Sequence, residues 1–207
     1  MSSSPGFFHD RFGLDERSLT TALDTALERA VDHADLFFEY TTQDSVVLEE
    51  GIVKSGERHL EQGVGVRAQA GERQGYAHSD EVTVESMGLA AAAARAISES
   101  GGSERSMAVA GAGHPPRDLY PVEQAPTDVP VERKTALLAE IDAHARRLDR
   151  RVQQVMASVV SQHRHVLIAA SDGTFCEDVQ PLVRLNVQVV AADGTRREMG
   201  YQGAGGH

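Results

Sequence analysis

Apolar and polar positions alternate along this chain in two recurring rhythms. From Ser18, Leu19, Leu23, Leu27 and Val31 recur every four residues with Ala22, Ala26 and Ala30 beside them, which predicts a first helix with one apolar stripe. Short β-rich runs follow at Leu36–Thr41, Ser45–Glu49, Ile52–Glu57, Gly63–Ala70 and Gln74–His78, broken by Gln-Asp, Glu-Gly, Glu-Gln and Gly-Glu turn signals. Consecutive strands on short turns must pair antiparallel, because a parallel pair needs a long crossover. Thr83 is placed to cap a further helix that runs through the Ala-rich stretch from Leu89 to Ile97 and stops near Gly101-Gly102.

The same order then repeats. A helix is predicted over Val131 to Leu148, with Leu137, Leu138, Ile141, Ala145 and Leu148 facing inward. Arg146, Arg147, Arg150 and Arg151 gather at its C-terminal end, where cations suit the helix dipole. Strands are expected at Val152–Ser161, His165–Ala170, Thr174–Glu177, Leu182–Ala191 and Arg196–Met199, with Asp172-Gly173 and Asp193-Gly194 as turn dipeptides. The fold class is therefore α+β, two helix-plus-antiparallel-meander units forming curved sheets packed by helices. The expected divisions are a flexible lead-in at 1–14, a first unit at 15–98 with its closing helix, a linking segment at 99–130 with a short anchored turn around Leu119 to Val122, a second unit at 131–200, and a Gly-rich end at 201–207. Sequence identity between the two units is slight, so duplication and coincidence stand as equal explanations.

A chain of 207 residues buries about 70% of its unfolded surface, enough for a real core. The net charge of −11 is dispersed, which argues against a surface that tracks phosphates, so no direct nucleic-acid partner is expected. The N-terminus has no basic start followed by a long apolar run, and no segment is long and apolar enough to span a bilayer. Cys176 stands alone, read as a small strand side chain in preference to a reactive thiol, and the expected home is the reducing cytoplasm.

Candidate chemistry is sparse. A hydrolytic zinc site needs three protein ligands and a base. Among nine histidines only His163-Arg164-His165 forms a pair, on residues expected to lie in a tight hairpin turn, and it is read as turn histidines in preference to a metal site. Glu49-Glu50 and Asp32 with Asp35 read as solvated acidic neighbours more than as acid/base pairs. Gly63-Val64-Gly65 lacks the further glycine of a nucleotide fingerprint. Arg67 and Arg184, each set in an apolar strand, could pair internally or face a substrate groove, internal pairing being the preferred reading.

Asp-Leu-Phe-Phe-Glu-Tyr at 35–40, Leu-Glu-Glu-Gly-Ile-Val-Lys-Ser-Gly at 48–56, Gln-Gly-Val-Gly-Val-Arg-Ala at 62–68 and Gly-Tyr-Ala at 75–77 stand in an order and spacing that resemble the N-terminal region of the TldD family of zinc metallopeptidases. The likeness continues through Arg133–Gln153, Asp172-Gly173-Thr174 and Asp178–Leu185, and the glycine run at 203–206 is similar to the stretch that precedes the family's catalytic half. The metal-binding pattern His-Glu-x-x-x-His is absent from these residues. The resemblance implies a non-catalytic N-terminal half, with no catalytic or metal residue and no cofactor in this chain, zinc belonging to the full-length family. It implies pairing with a TldE/PmbA-like sister subunit, or self-association, around a chamber that admits unfolded peptides. Arg67, Arg184, Gly203 and Gly205 are the candidates for lining the peptide channel. The alternatives are a standalone interaction module without enzymatic activity and, far behind, a small hydrolase built on His163 and His165.

Overall fold

The computed structural model describes residues 6–29, 31–99, 121 and 123–207. Four α-helices, a short 3-10 turn and six strands are found among them, in the order α1 (Phe7–Phe12), α2 (Glu16–Leu27), β1 (His33–Glu49), β2 (Ile52–Ala70), β3 (Arg73–Ser79), α3 (Val84–Glu99), the turn Pro126–Asp128, α4 (Val131–Leu148), β4 (Val152–Ala170), β5 (Phe175–Asp193) and β6 (Arg196–Gly206). The α+β class holds, and both meanders belong to one antiparallel sheet of order β3-β2-β1-β4-β5-β6. Links between Ala34 and Ser171, Thr42 and His163, and Glu50 and Val155 join β1 to β4 with the two strands running oppositely.

The helix starts are chemically marked. Asp15 caps α2 by accepting from the Ser18 amide at 2.8 Å while the Ser18 hydroxyl meets the Asp15 backbone, a reciprocal box that satisfies two orphan donors. Thr83 caps α3 in the same way, accepting from the Ser86 amide at 3.0 Å. The β1–β2 hairpin turns on Glu50 and Gly51, both at positive φ, the geometry of a two-residue loop whose twist matches the strands.

Several boundaries differ from the sequence reading. Residues 7–12, expected within a flexible lead-in, form α1, whose Phe8 is buried. Gln43-Asp44 and Glu61-Gln62 are strand residues and not turns, so five expected runs become three long strands. His163-Arg164-His165 lies in the middle of β4, not in a hairpin. The glycine run at 203–206, expected as a Gly-rich end without regular structure, closes strand β6 and pairs with Val183–Asn186 of β5, because a backbone ladder requires no side chains. On α4 the buried positions are Lys134, Leu138 and Asp142, while Leu137 is 46% and Leu148 73% exposed. Lys134 can face inward because its ammonium lies 2.5 Å from Asp44, and Asp142 because Arg146 one turn on holds its carboxylate. The expected helix stop at Gly101-Gly102 lies outside the described residues, as does the turn at 119–122 apart from Pro121.

The chain divides into two compact units, and the segments 15–98 and 131–200 each contribute to both. Unit 1 (1–40, 61–118, 165–179) has a core of Leu36, Phe38, Val64, Val66, Leu167 and Ala169 of the strands packed with Leu19 and Ala26 of α2 and Met87, Ala91 and Ala94 of α3. Unit 2 (41–60, 119–164, 180–207) packs Leu138 of α4 on Val46, Leu48, Ala157 and Val159, with Val183, Leu185 and Val187 beside them. Among the described residues no helix is long and apolar enough to cross a membrane.

Candidate functional site

Four residues were singled out as channel-lining candidates, and the structure brings three of them together. The β5–β6 ladder sets Arg184 opposite Gly205 and Asn186 opposite Gly203. Arg184 Nε donates to Asn186 Oδ1 at 3.1 Å and Nη2 donates to the Tyr201 hydroxyl at 3.4 Å; that hydroxyl donates in turn to Asn186 Oδ1 at 2.5 Å. Gly203 leaves the middle of this triangle open. A β-carbon there would lie 3.2 Å from Asn186 Oδ1 and from the Tyr201 oxygen, and 3.3 Å from Arg184 Nη2. The sequence reading missed Asn186 and Tyr201; the readable signal was the spacing of two that sets Asn186 on the Arg184 face and Tyr201 on the Gly203 face.

Arg67 is in unit 1, and its surroundings are different. Its Nε donates to Asp35 Oδ2 at 2.6 Å, with the Asp35 side chain only 18% exposed, the internal pairing preferred from the sequence. Asp35 also lies 3.7 Å from His33 Nε2, and His33 Nδ1 meets Ser171 Oγ at 3.2 Å. This line of serine, histidine and aspartate is no hydrolytic relay. The His33–Asp35 gap exceeds a hydrogen bond, Arg67 occupies the aspartate, and Ser171 Oγ already accepts from the Ala34 amide at 3.0 Å. It ties the start of β1 to the end of β4.

The two histidines of β4 have separate structural roles. The His165 ring stacks on Phe7 of α1 at 3.7 Å between centroids. His163 is half-buried, its pKa lowered by that burial, and its carbonyl accepts from Thr42 at 3.4 Å. Among the described residues no group of three or more His, Cys, Asp or Glu is gathered to hold a metal, so these residues do not fit a catalytic zinc. Cys176 is half-buried and its thiol points at the Glu177 carbonyl. Burial also raises the pKa of Glu177, against the hydrogen bond that the Phe7 amide supplies.

Among the described residues, what the sheet does offer is open backbone. β3 pairs only with Val64–Ala70, so Ile52–Gly63 of β2 extends past it with Ile52, Val53 and Leu60 exposed. β6 is the terminal strand at the other side of the order, exposed along nearly all its length. Within unit 2 a groove of about 580 Å³ runs between Asp44 and Val46 of β1, Gly56 and Arg58 of β2, Val129 just before α4 and Lys134 in its first turn.

Comparison with known proteins accounts for this architecture. Residues 34–100 match the PmbA/TldA metallopeptidase domain 1, and residues 124–207 the PmbA/TldA metallopeptidase central domain. Over 193 residues the chain is 36% identical to the metalloprotease TldD homolog of Haemophilus influenzae, covering 93% of this chain and 40% of that protein. The TldD homolog of Buchnera aphidicola from Acyrthosiphon pisum is 30% identical over 194 residues, 93% and 39% of the two chains. Among solved structures, a modulator of DNA gyrase from Bacteroides thetaiotaomicron superposes with a TM-score of 0.74 at 15% identity, covering 92% of this chain and 44% of that one. TldE from Thermococcus kodakarensis gives 0.68 at 14%, covering 91% and 42%. The chain thus spans about 40% of the length of the curated relatives it matches. Two consecutive family domains, matched in order over most of its residues, make it a member of the PmbA/TldD metallopeptidase family.

Proposed function

We propose that this chain is the non-catalytic region of a TldD-like zinc metallopeptidase that degrades unfolded peptides, and that it shapes the peptide channel and the subunit contacts. The observation that carries this reading is the sheet itself: long antiparallel strands with open edges at Ile52–Gly63 and along β6, on a chain whose described residues gather no metal ligands. An open edge binds an extended segment through main-chain hydrogen bonds, which read no particular sequence and so suit unfolded substrates. Hydrolysis, and the zinc it uses, belong to the part of such a protein that the matched region does not include. The sister subunit is TldE/PmbA-like, a choice supported by the likeness to TldE, with self-association as the other arrangement. A chain with one cysteine suits a reducing compartment, and the cytoplasm is the assigned location.

Hydrogen exchange on this chain with and without an unstructured polypeptide tests the reading. Slowed exchange within Ile52–Gly63 or Arg196–Gly206 on adding the polypeptide is the expected result. In a full-length relative, removal of the segment matching 35–200 should abolish peptide binding; binding that survives the removal overturns the proposal.

A further inference from the structure

Unit 2 has one sheet face covered by α4 and one that α4 does not cover. Val183, Leu185 and Val187 pack toward Leu138 of α4, so the alternation of a strand turns Leu182, Arg184, Asn186 and Gln188 to the opposite face. Their partners on β6, Gly205, Gly203 and Tyr201, share that face, and Met199 follows two residues on. Leu182, Met199 and Tyr201 are all exposed there. Arg184 is the charged residue in their midst, and the groups that hold it are neutral. Two of its N–H donors go to Asn186 and Tyr201, and it makes no ion pair among the described residues. Three further donors remain on the guanidinium.

An arginine fixed by neutral acceptors keeps its full charge for a ligand and loses little side-chain freedom when it binds. A side chain at 203 would crowd Asn186, Tyr201 and Arg184, so glycine there keeps the approach to these three polar atoms clear. One cation in a neutral, partly apolar setting, on a chain of net charge −11, suits a single small anion and opposes a polyanion. We propose that Arg184, Asn186, Tyr201 and Gly203 form a carboxylate subsite on this bare face, which takes an extended peptide by an acidic side chain or by its free C-terminus. The proposal rests on the peptide-binding reading above and adds to it a preference among peptides.

The test is fluorescence anisotropy of this chain with unstructured labelled peptides of one Gly/Ser-rich frame, varied at two places: glutamate or glutamine in the middle, and a free or amidated C-terminus. A carboxylate at one of the two places should tighten binding about tenfold, the range of a charge-assisted pair, and the pattern identifies which source is read. Arg184→Gln should erase the difference between the charged and the neutral peptides, and Arg184→Lys should restore only part of it, because the fork is lost. Gly203→Ala, which keeps the arginine but fills the gap, should also reduce it. Circular dichroism melts that match the parent exclude misfolding as the cause. Equal affinity for all four peptides, or a preference retained in Arg184→Gln, overturns the subsite and leaves the peptide-binding reading standing. Failure of every peptide to bind overturns both.

Discussion

Arg67 and Arg184 sit in matching contexts, each in a long strand of a meander, yet the molecule uses them in opposite ways. Arg67 in unit 1 is spent on Asp35, a well-buried carboxylate that also neighbours His33 and through it Ser171. Arg184 in unit 2 is held by an amide oxygen and a phenol. A charge cancelled by its neighbour serves the fold, whereas a charge held in place without being cancelled is available to a ligand. The glycines near each arginine differ in the same sense. Gly75 of β3, paired with Ala68 and so one register step from Arg67, is pressed against α3, where a β-carbon would collide with the Ala94 carbonyl and lie 2.7 Å from the Ser98 amide. Gly203 faces only side-chain tips.

The sharpest way to break the contrast is therefore to add one methyl group to each glycine. Gly75→Ala has no flexible side chain to displace and must move β3 from α3, which should cost about 3 kcal/mol, the upper part of the range for overpacking. Gly203→Ala needs a shift of a few tenths of an ångström in exposed side chains and should cost less than about 1 kcal/mol. Urea unfolding of the two variants measures both. Equal losses would show that β6 is packed as tightly as β3 and that the two glycines serve the fold alike.

Removing the carboxylate of the first arginine is the next largest effect. Asp35→Ala removes a largely buried acceptor but leaves the exposed Arg67 to water, an expected loss of about 1 kcal/mol once solvent screening reduces the usual worth of a hydrogen bond to a charged group. A double-mutant cycle with Arg67→Ala isolates the pair and should show coupling; the corresponding cycle of Arg184 with Tyr201 should show little.

Much of this fold was legible and the reasons for the rest are physical. Helix α4 was readable to its bounds from its period, as were the Glu50-Gly51, Asp172-Gly173 and Asp193-Gly194 turns from their dipeptides. Its inward face was not, since Lys134 and Asp142 are buried only because Asp44 and Arg146 neutralise them, and Asp44 is 90 residues away. Polar pairs such as Gln43-Asp44 and Glu61-Gln62 imitate turns, yet Asp44 is accommodated in its strand by the ammonium of Lys134 and Glu61 by exposure to solvent. The glycine run at 203–206 imitates a tail for want of side chains, while its backbone forms a ladder with β5. The candidate site followed from that same ladder. Arg184, Gly203 and Gly205 could each be suspected singly, but their meeting depends on a register that no local pattern states.

Acid offers a smaller probe that reaches both regions through their turns. Asp15 at the α2 cap and Asp172 in the β4–β5 turn have lowered pKa values because backbone and hydroxyl donors favour their charged forms. Asp149, before β4, is lowered to about 2 by hydrogen bonds from the Arg151 guanidinium and amide. A lowered folded pKa gives stability that is present above the ordinary carboxylate range and is lost as pH falls through the folded value. Glu177 has the opposite sign: its raised pKa favours the fold at low pH, a contribution lost as pH rises through the folded value. The net expectation is a decline in thermal midpoint from about pH 4 toward pH 2. Asp149→Asn should flatten the lowest part of that decline, and an unaltered profile would show that this turn is not coupled to global unfolding.

The smallest expected effect is the most discriminating. If Arg184 were structural, Arg184→Gln would forfeit stability on the scale of the Asp35 loss, because Asn186 and Tyr201 would lose the donors that satisfy them. Tyr201 is exposed, though, and half-buried Asn186 keeps the bond donated by the Tyr201 hydroxyl, so losing the guanidinium costs little, and a surface side chain without an ion pair contributes within about 0.5 kcal/mol. Denaturation midpoints of parent and variant should therefore coincide, with the same slope. A coincident midpoint joined to a lost carboxylate preference is a result that only a binding role produces, since a residue that merely held β5 to β6 would change both measurements together. A drop of 1 kcal/mol or more, about the mean for a destabilising substitution, would instead place Arg184 with Arg67 as part of the framework.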